Sequence, residues 1–288
     1  MEIGVISDGI SRDFKYSVSV IKEYNIKHVE LQYIDKKEVG DLTKKEQIEV
    51  KKIINNNGLK VPCVSRHNFS GLSVLETKIT DKKYINHLDS LKRCIEFAKF
   101  INCPNVRVMS FKKEMILFGE NGAEQWIMSK NAWKKLVYLF KPIIKVAEKS
   151  KINLVVETGN NAMINSAQLA LKLIKELSSR NLKVLWDPAN SLFCNEKPYP
   201  DGLQSIINKH LGHIHMKDLE VDIPQAKVKM CQFGKGEMNK YMKLISKELH
   251  TRNWKGVVSF ESVYHPGNKN FEHGFRNSFK TFKKIFQS

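Results

Sequence analysis

Short apolar runs alternate along this chain with longer stretches whose apolar residues recur every three or four positions. That alternation is its main structural signal. Runs at 2–7 (EIGVIS), 26–32 (IKHVELQ), 58–65 (GLKVPCVS), 103–111 (CPNVRVMSF), 152–157, 182–187, 211–217 and 255–261 read as strands. Pro62 restricts the pairing of the third. Helices are predicted over 14–24, 43–57, 81–100, from beyond Trp126 to about 150, 163–179, 237–251 and about 270–286, with a weaker one over 201–209. Ser11 or Asp13 is placed to cap the first helix, and the Asn-Asn-Asn-Gly run at 55–58 stops the second. The spacing of Leu88, Leu91, Ile95 and Ala98 supports the third. Eight strand-then-helix units, with no linker or low-complexity segment between them, predict one domain over 1–288. Its expected fold is α/β, a single (β/α)8 TIM barrel around a parallel sheet. Two long connections are expected as loops: one through Phe118 and Trp126, either a lid or simple packing, and one over 219–236.

Length and composition agree with that fold. The 288 residues suit a barrel of typically ~250, and a hydrophobic content of 42% supplies a core. No apolar run approaches the ~18 residues of a membrane span. The start, MEIGVISDG, has an acid where a signal peptide would have bases, so a soluble cytoplasmic protein is expected. Five dispersed cysteines without CxxC spacing exclude a disulfide framework or a structural zinc site. The formal charge of +18 comes from 41 lysines and seven arginines spread over nearly every segment. Nucleic-acid sites favour clustered bases with interleaved aromatics, so this charge reads as a solvated surface rather than a nucleic-acid partner. It still helps to draw in an anionic substrate.

Chemistry concentrates where strands end. In LGHIHMKD, strand alternation sends His213, His215 and Lys217 to one face, and Ile214 and Met216 to the other. Three further runs end in one carboxylate each: NLVVETGNN in Glu157, LKVLWDPAN in Asp187 and GVVSFESVY in Glu261. These four groups fall on the fifth to eighth strands, at the C-terminal mouth where barrels hold their active sites. Three carboxylates around one mouth repel one another unless a cation neutralises them. Three oxygens and one imidazole suit one divalent ion, Mn²⁺ or Mg²⁺ first, with Co²⁺ or Zn²⁺ next.

VELQ, VVETGNN, VLWDPAN, HIHMKD, GKGEM and VSFES together resemble the xylose-isomerase-like barrel superfamily. That group includes sugar-phosphate isomerases and epimerases, ketose 3-epimerases, hydroxypyruvate isomerase and apurinic endonucleases. The resemblance runs along essentially the whole chain, with its strongest motifs after residue 150. It implies that Glu157 and Glu261 bind the metal and also act as an acid/base pair, with Asp187 and His215 completing the metal shell. The implied reaction is proton abstraction next to a carbonyl through a metal-stabilised enediolate. The implied partner is a carbohydrate or sugar phosphate, and a homo-oligomer is left open.

Further candidates surround this set. Lys217 is placed either to hold a substrate oxyanion or to pair with Asp218. Lys235, in a Gly-Lys-Gly turn before a helix, is set either in a phosphate cradle or in a plain turn. Glu30 and Arg107 are expected to line the pocket or to pair with each other. His67, Asn68 and Asn190 are candidate substrate contacts, and His213 reads as a buried, hydrogen-bonded histidine. Two rival readings are a repair nuclease on the same barrel and a silent sugar-binding barrel. The nuclease is disfavoured by Asn190 where it carries histidine, by the lack of histidine in RVMSF, and by the lack of an Asp-x-His before Gly234.

Overall fold

A computed structural model describes residues 1–114, 131–222, 224–225, 227–267 and 270–287. Phe118 and Trp126, the lid candidates, lie outside the described residues. Eight parallel strands form the barrel: β1 (Glu2–Ile6), β2 (His28–Glu30), β3 (Cys63–Val64), β4 (Asn105–Val108), β5 (Asn153–Glu157), β6 (Leu182–Trp186), β7 (Leu211–Met216) and β8 (Val257–Phe260). Their spatial order is β2-β1-β8-β7-β6-β5-β4-β3. Closure between β2 and β3 rests on two isolated parallel bridges, His28 to Lys60 and Leu31 to Val64. The third strand is short because Pro62 has no N–H to give to a ladder.

The helices are α1 (Phe14–Glu23), α2 (Lys44–Asn56), α3 (Lys82–Phe100), α4 (Ala132–Ser150), α5 (Ala167–Leu177), α6 (Leu203–Ile206), α7 (Asn239–Thr251) and α8 (Phe271–Phe286). Asp13 rather than Ser11 caps α1, accepting from Tyr16 N at 3.0 Å. Thr43 and Glu46 form a reciprocal capping box on α2. The weak signal over 201–209 reduces to the four residues of α6, preceded by an irregular turn at Pro198–Gly202.

Two hairpins were not expected. Tyr33–Ile34 pairs with Lys37–Glu38 just after β2, and Leu219–Asp222 pairs with Lys227–Met230 inside the stretch read as a loop. The first is only two residues a side, and the second, Leu-Glu-Val-Asp against Lys-Val-Lys-Met, alternates over just four residues, the lower limit of a readable strand.

Alternation decides what each strand presents to each layer. Ile214 and Met216 face outward into the continuous core beneath the helices. Phe260 of β8 meets Phe275, Phe279 and Phe282 of α8 in the same layer. Cys63, Val155 and Leu185 form a separate buried apolar cluster, and the residues two further along, Ser65, Glu157 and Asp187, follow on the same face of their strands. Where β6 meets β7 the register jumps: Val184 faces Leu211, but Leu185 faces His213. Gly212 is the extra residue. A Cβ there would stand 2.8 Å from Val155 Cγ1 and 2.9 Å from Lys183 Cβ. Gly212→Ala is therefore expected to lower unfolding stability by about 1–3 kcal/mol, the usual cost of overpacking, measurable by urea titration.

Candidate active site

The sequence-derived candidates converge on the C-terminal mouth, in two joined clusters. Deepest is Glu30 at the end of β2, fully buried. Its carboxylate lies 2.7 Å from His213 Nε2 and 2.7 Å from His215 Nε2, and it also accepts from Ser65 Oγ. His213 lies 3.1 Å from Ser259 Oγ as well. Glu30, expected to line the pocket, thus lies beneath it as the acceptor that orients two imidazoles. His213 is the buried, hydrogen-bonded histidine its position predicted.

The second layer is reached through His215, whose Nδ1 lies 3.3 Å from Glu157 Oε1. Arg107 Nη1 donates to Glu157 Oε2 at 2.9 Å, and its other nitrogens reach the carbonyl oxygens of Ser65 and Arg66. Arg107 therefore pairs with Glu157, not with Glu30. Across the mouth, Lys217 Nζ lies 2.5 Å from Asp187 Oδ2 and 2.6 Å from Glu261 Oε2. Lys217 does not turn to Asp218; it bridges two of the expected metal ligands.

Asp187 is the most heavily engaged of the four. Its Oδ1 caps the helical turn Pro188–Ser191 by accepting from Ala189 N and Asn190 N. Its Oδ2 accepts from Asn190 Nδ2 at 2.8 Å. Asn190 also donates to Thr158 O, so it acts here on Asp187 and on the β5 end rather than standing free in the pocket.

The peripheral candidates fall differently. His67 Nδ1 contacts Glu38 Oε1 at 2.6 Å, on the hairpin after β2. Asn68 is buried and donates to Arg107 O. Lys235 is exposed. The Gly-Lys-Gly turn around it is no phosphate cradle, because Gly234 N and Gly236 N both donate to Asp218 Oδ2 at 2.9 Å. Leu219 N and Met238 N donate to Oδ1 of the same carboxylate. The reason was hidden in sequence: the anion that fills this nest comes from the chain itself, at the end of β7.

The charges set one another's protonation. Burial pushes Glu157 up, but Arg107 and then His215 outweigh it and hold the carboxyl below the usual range. Burial also opposes the ionised form of Glu261, and Lys217 and His215 overcome it, so its pKa is lowered. Asp187 goes the other way, to about 6, because burial, with Glu261 and Glu157, outweighs Lys217. Burial would pull His215 down, yet Glu30 and Glu157 raise it to about 10. The two glutamates are thus held ionised and able to accept a proton.

Glu157, His215 and Glu261 each offer one donor atom, all within 4.8 Å of one another. An oxygen, nitrogen and oxygen set fits a divalent ion of the Mn²⁺ or Mg²⁺ kind, with Zn²⁺ and Co²⁺ chemically compatible. Glu30, His213 and His215 are equally close; their facing atoms are joined at 2.7 Å, more tightly than the 3.3 Å between His215 and Glu157. Asp187, expected as the fourth ligand, falls outside both groups; Lys217 holds it as it holds Glu261, and Asn190 donates to it as well.

A cavity of about 610 Å³ opens beside Glu261, between the loop after β1, the first hairpin and the loop after β8. Asp8, Arg12, Gln32, Tyr33 and Ser262 line it, and sequence reading singled out none of them. Tyr33 N donates to Asp8 at 3.2 Å, and Arg12 lies over the Tyr33 ring, 4.6 Å from its centroid. A larger hollow of about 770 Å³ opens at the opposite, N-terminal mouth. None of Glu157, Asp187, Lys217 or Glu261 lines it, so it is remote from the chemistry.

Residues 18–285 match the family described as xylose isomerase-like TIM barrel. No curated protein matches the sequence. Among solved structures, the chain is similar to a xylose isomerase domain protein from Planctomyces limnophilus, with TM-score 0.74, 15% identity, and coverage of 100% of this chain and 99% of that one. It is also similar to D-psicose 3-epimerase with D-tagatose from Clostridium cellulolyticum H10, with TM-score 0.69, 15% identity and 99% of each chain covered. A third is a xylose isomerase-like TIM barrel protein from Mycobacterium smegmatis in complex with magnesium, with TM-score 0.66, 14% identity, and coverage of 99% of this chain and 97% of that one. At these identities the likeness is one of fold.

Proposed function

The chain belongs to the xylose isomerase-like TIM barrel family, and from that premise we propose that it is a divalent-metal-dependent sugar isomerase or epimerase. One observation carries the reading: Glu157 and Glu261, from separate strands, gather with His215 between them inside 4.8 Å. Two ionised carboxylates so placed act as a pair. One takes a proton from the carbon beside a carbonyl, and the other delivers a proton to the opposite face or to the neighbouring carbon.

Arg107 fixes the Glu157 carboxylate by a buried 2.9 Å bond to Oε2, and Glu157 Oε1 faces His215 Nδ1 at 3.3 Å. Lys217 sits at the mouth with a retained positive charge, since Asp187 and Glu261 more than offset its burial. It can donate to a substrate oxygen as charge develops there. A cation held by Glu157, His215 and Glu261 would supply further electrostatic stabilisation of that charge. Supporting the substrate class are the psicose epimerase fold neighbour and the abundance of polar groups around the mouth. Supporting the metal are the donor set and the magnesium complex among the neighbours.

Elemental analysis of the purified protein tests the metal. The expected result is about one divalent ion per chain, absent when Glu157 and Glu261 are both changed to Gln. Two or three ions per chain would favour the nuclease reading, and none after incubation with Mn²⁺ would remove the metal from the mechanism.

A further inference from the structure

Barrels commonly hold phosphate in the loops after the seventh and eighth strands, where backbone N–H groups and helix N-termini gather. Among the described residues, both places are filled from within. The turn after β7 spends the N–H groups of Gly234, Gly236 and Met238 on the Asp218 carboxylate. After β8, the N-terminus of α8 is capped by Asn270, which accepts from His273 N at 3.1 Å. Glu272, in the first turn of α8, adds a negative charge that repels an incoming anion.

The cavity beside Glu261 has the opposite need. Ser262 Oγ and Gln32 Oε1 are both buried with no hydrogen-bond partner among the described residues, and Ser262 is only 5% exposed. An orphaned buried polar atom is costly, and a ligand that satisfies it recovers that cost. Gln32 Oε1 only accepts, as does the Asp8 carboxylate. Among the described residues, the charged side chains lining this cavity are Asp8, Glu261 and Arg12. The two carboxylates and Gln32 Oε1 ask for donors and disfavour a further anion, whereas the Ser262 hydroxyl can donate or accept.

We infer that this cavity receives the end of the substrate remote from the reacting carbon, and that it takes an uncharged, hydroxyl-bearing chain rather than a phosphate ester. Hydroxyl groups donate to Gln32 Oε1, Asp8 and Ser262 Oγ, while the Arg12 guanidinium supplies the complementary donor. The inference rests on the proposed reading, because the cavity is a substrate subsite only through its contact with Glu261. It makes free sugars, not sugar phosphates, the substrate class.

Isothermal titration calorimetry of the full chain in Mn²⁺ buffer tests it, with D-tagatose and D-tagatose 6-phosphate as probes. The free sugar is expected to bind at least ~10-fold more tightly, and Gln32→Leu and Ser262→Ala are each expected to weaken it about tenfold, one hydrogen bond apiece. Asp8→Asn, which removes a repelling charge, is expected to narrow the preference over the phosphate. Equal or tighter binding of the phosphate, unaltered affinity in both Gln32→Leu and Ser262→Ala, or no binding of either sugar overturns the inference. The two ideas fail separately. Binding with the expected preference but without turnover sinks the isomerase reading and leaves the subsite, whereas turnover with a preference for the phosphate does the reverse.

Discussion

Replacing Glu157 or Glu261 by Gln is expected to lower turnover of a ketose substrate by about 10²–10⁴-fold, the range for losing one general acid or base. The measurement is deuterium uptake from D₂O at the carbon beside the carbonyl, followed by proton NMR. Gln keeps the shape but cannot accept the proton, so both variants are expected to lose turnover while keeping the fold. A difference between them is informative. In a one-proton-out, one-proton-in scheme, only the variant lacking the abstracting base loses deuterium uptake entirely with a given epimer; with the opposite epimer the roles exchange. If either variant retained full turnover, the paired-carboxylate mechanism would be wrong.

Asp218→Ala carries the largest expected effect on stability. This one carboxylate accepts from four backbone N–H groups, of Leu219, Gly234, Gly236 and Met238, at 2.9–3.0 Å, and its residue is 2% exposed. Removing it strands several donors at once. Hydrogen bonds to a charged group contribute about 1.5–3 kcal/mol each, and their loss together is expected to cost at least ~3 kcal/mol in a urea titration. Asp218→Asn, whose single carbonyl oxygen still accepts, is expected to fall between Ala and the unaltered protein.

The barrel was legible because it depends on local patterns that recur. The strand at 211–217 shows why: Ile214 and Met216 are apolar, their neighbours polar, and the alternation alone assigns them to opposite layers. Asp13 announces a helix start in the same local way, accepting from a backbone N–H three residues on; Thr43 and Ser166 do likewise in the structure, the latter starting its helix at Ala167 rather than the expected 163. The two hairpins escaped because they are short: Tyr33–Ile34 is too brief to show a period, and the alternation of Lys227–Met230 spans only four residues inside a long connection. The cavity residues escaped for the same reason, since Asp8, Arg12 and Tyr33 belong to a turn and a two-residue strand rather than to a motif.

The sequence by itself determined the order of strands and helices and the end of the barrel where chemistry gathers. It also determined the four side chains, Glu157, Asp187, His215 and Glu261, that reach that end, because strand alternation and strand termini are properties of neighbours along the chain. Only the tertiary structure decided who pairs with whom. Arg107 takes Glu157 rather than Glu30, Lys217 takes Asp187 and Glu261 rather than Asp218, and Asp218 fills the nest that Gly234 and Gly236 open. Each of these joins groups from different strands or loops, and a buried charge takes the partner that barrel closure brings within about 3 Å, whatever stands beside it in sequence.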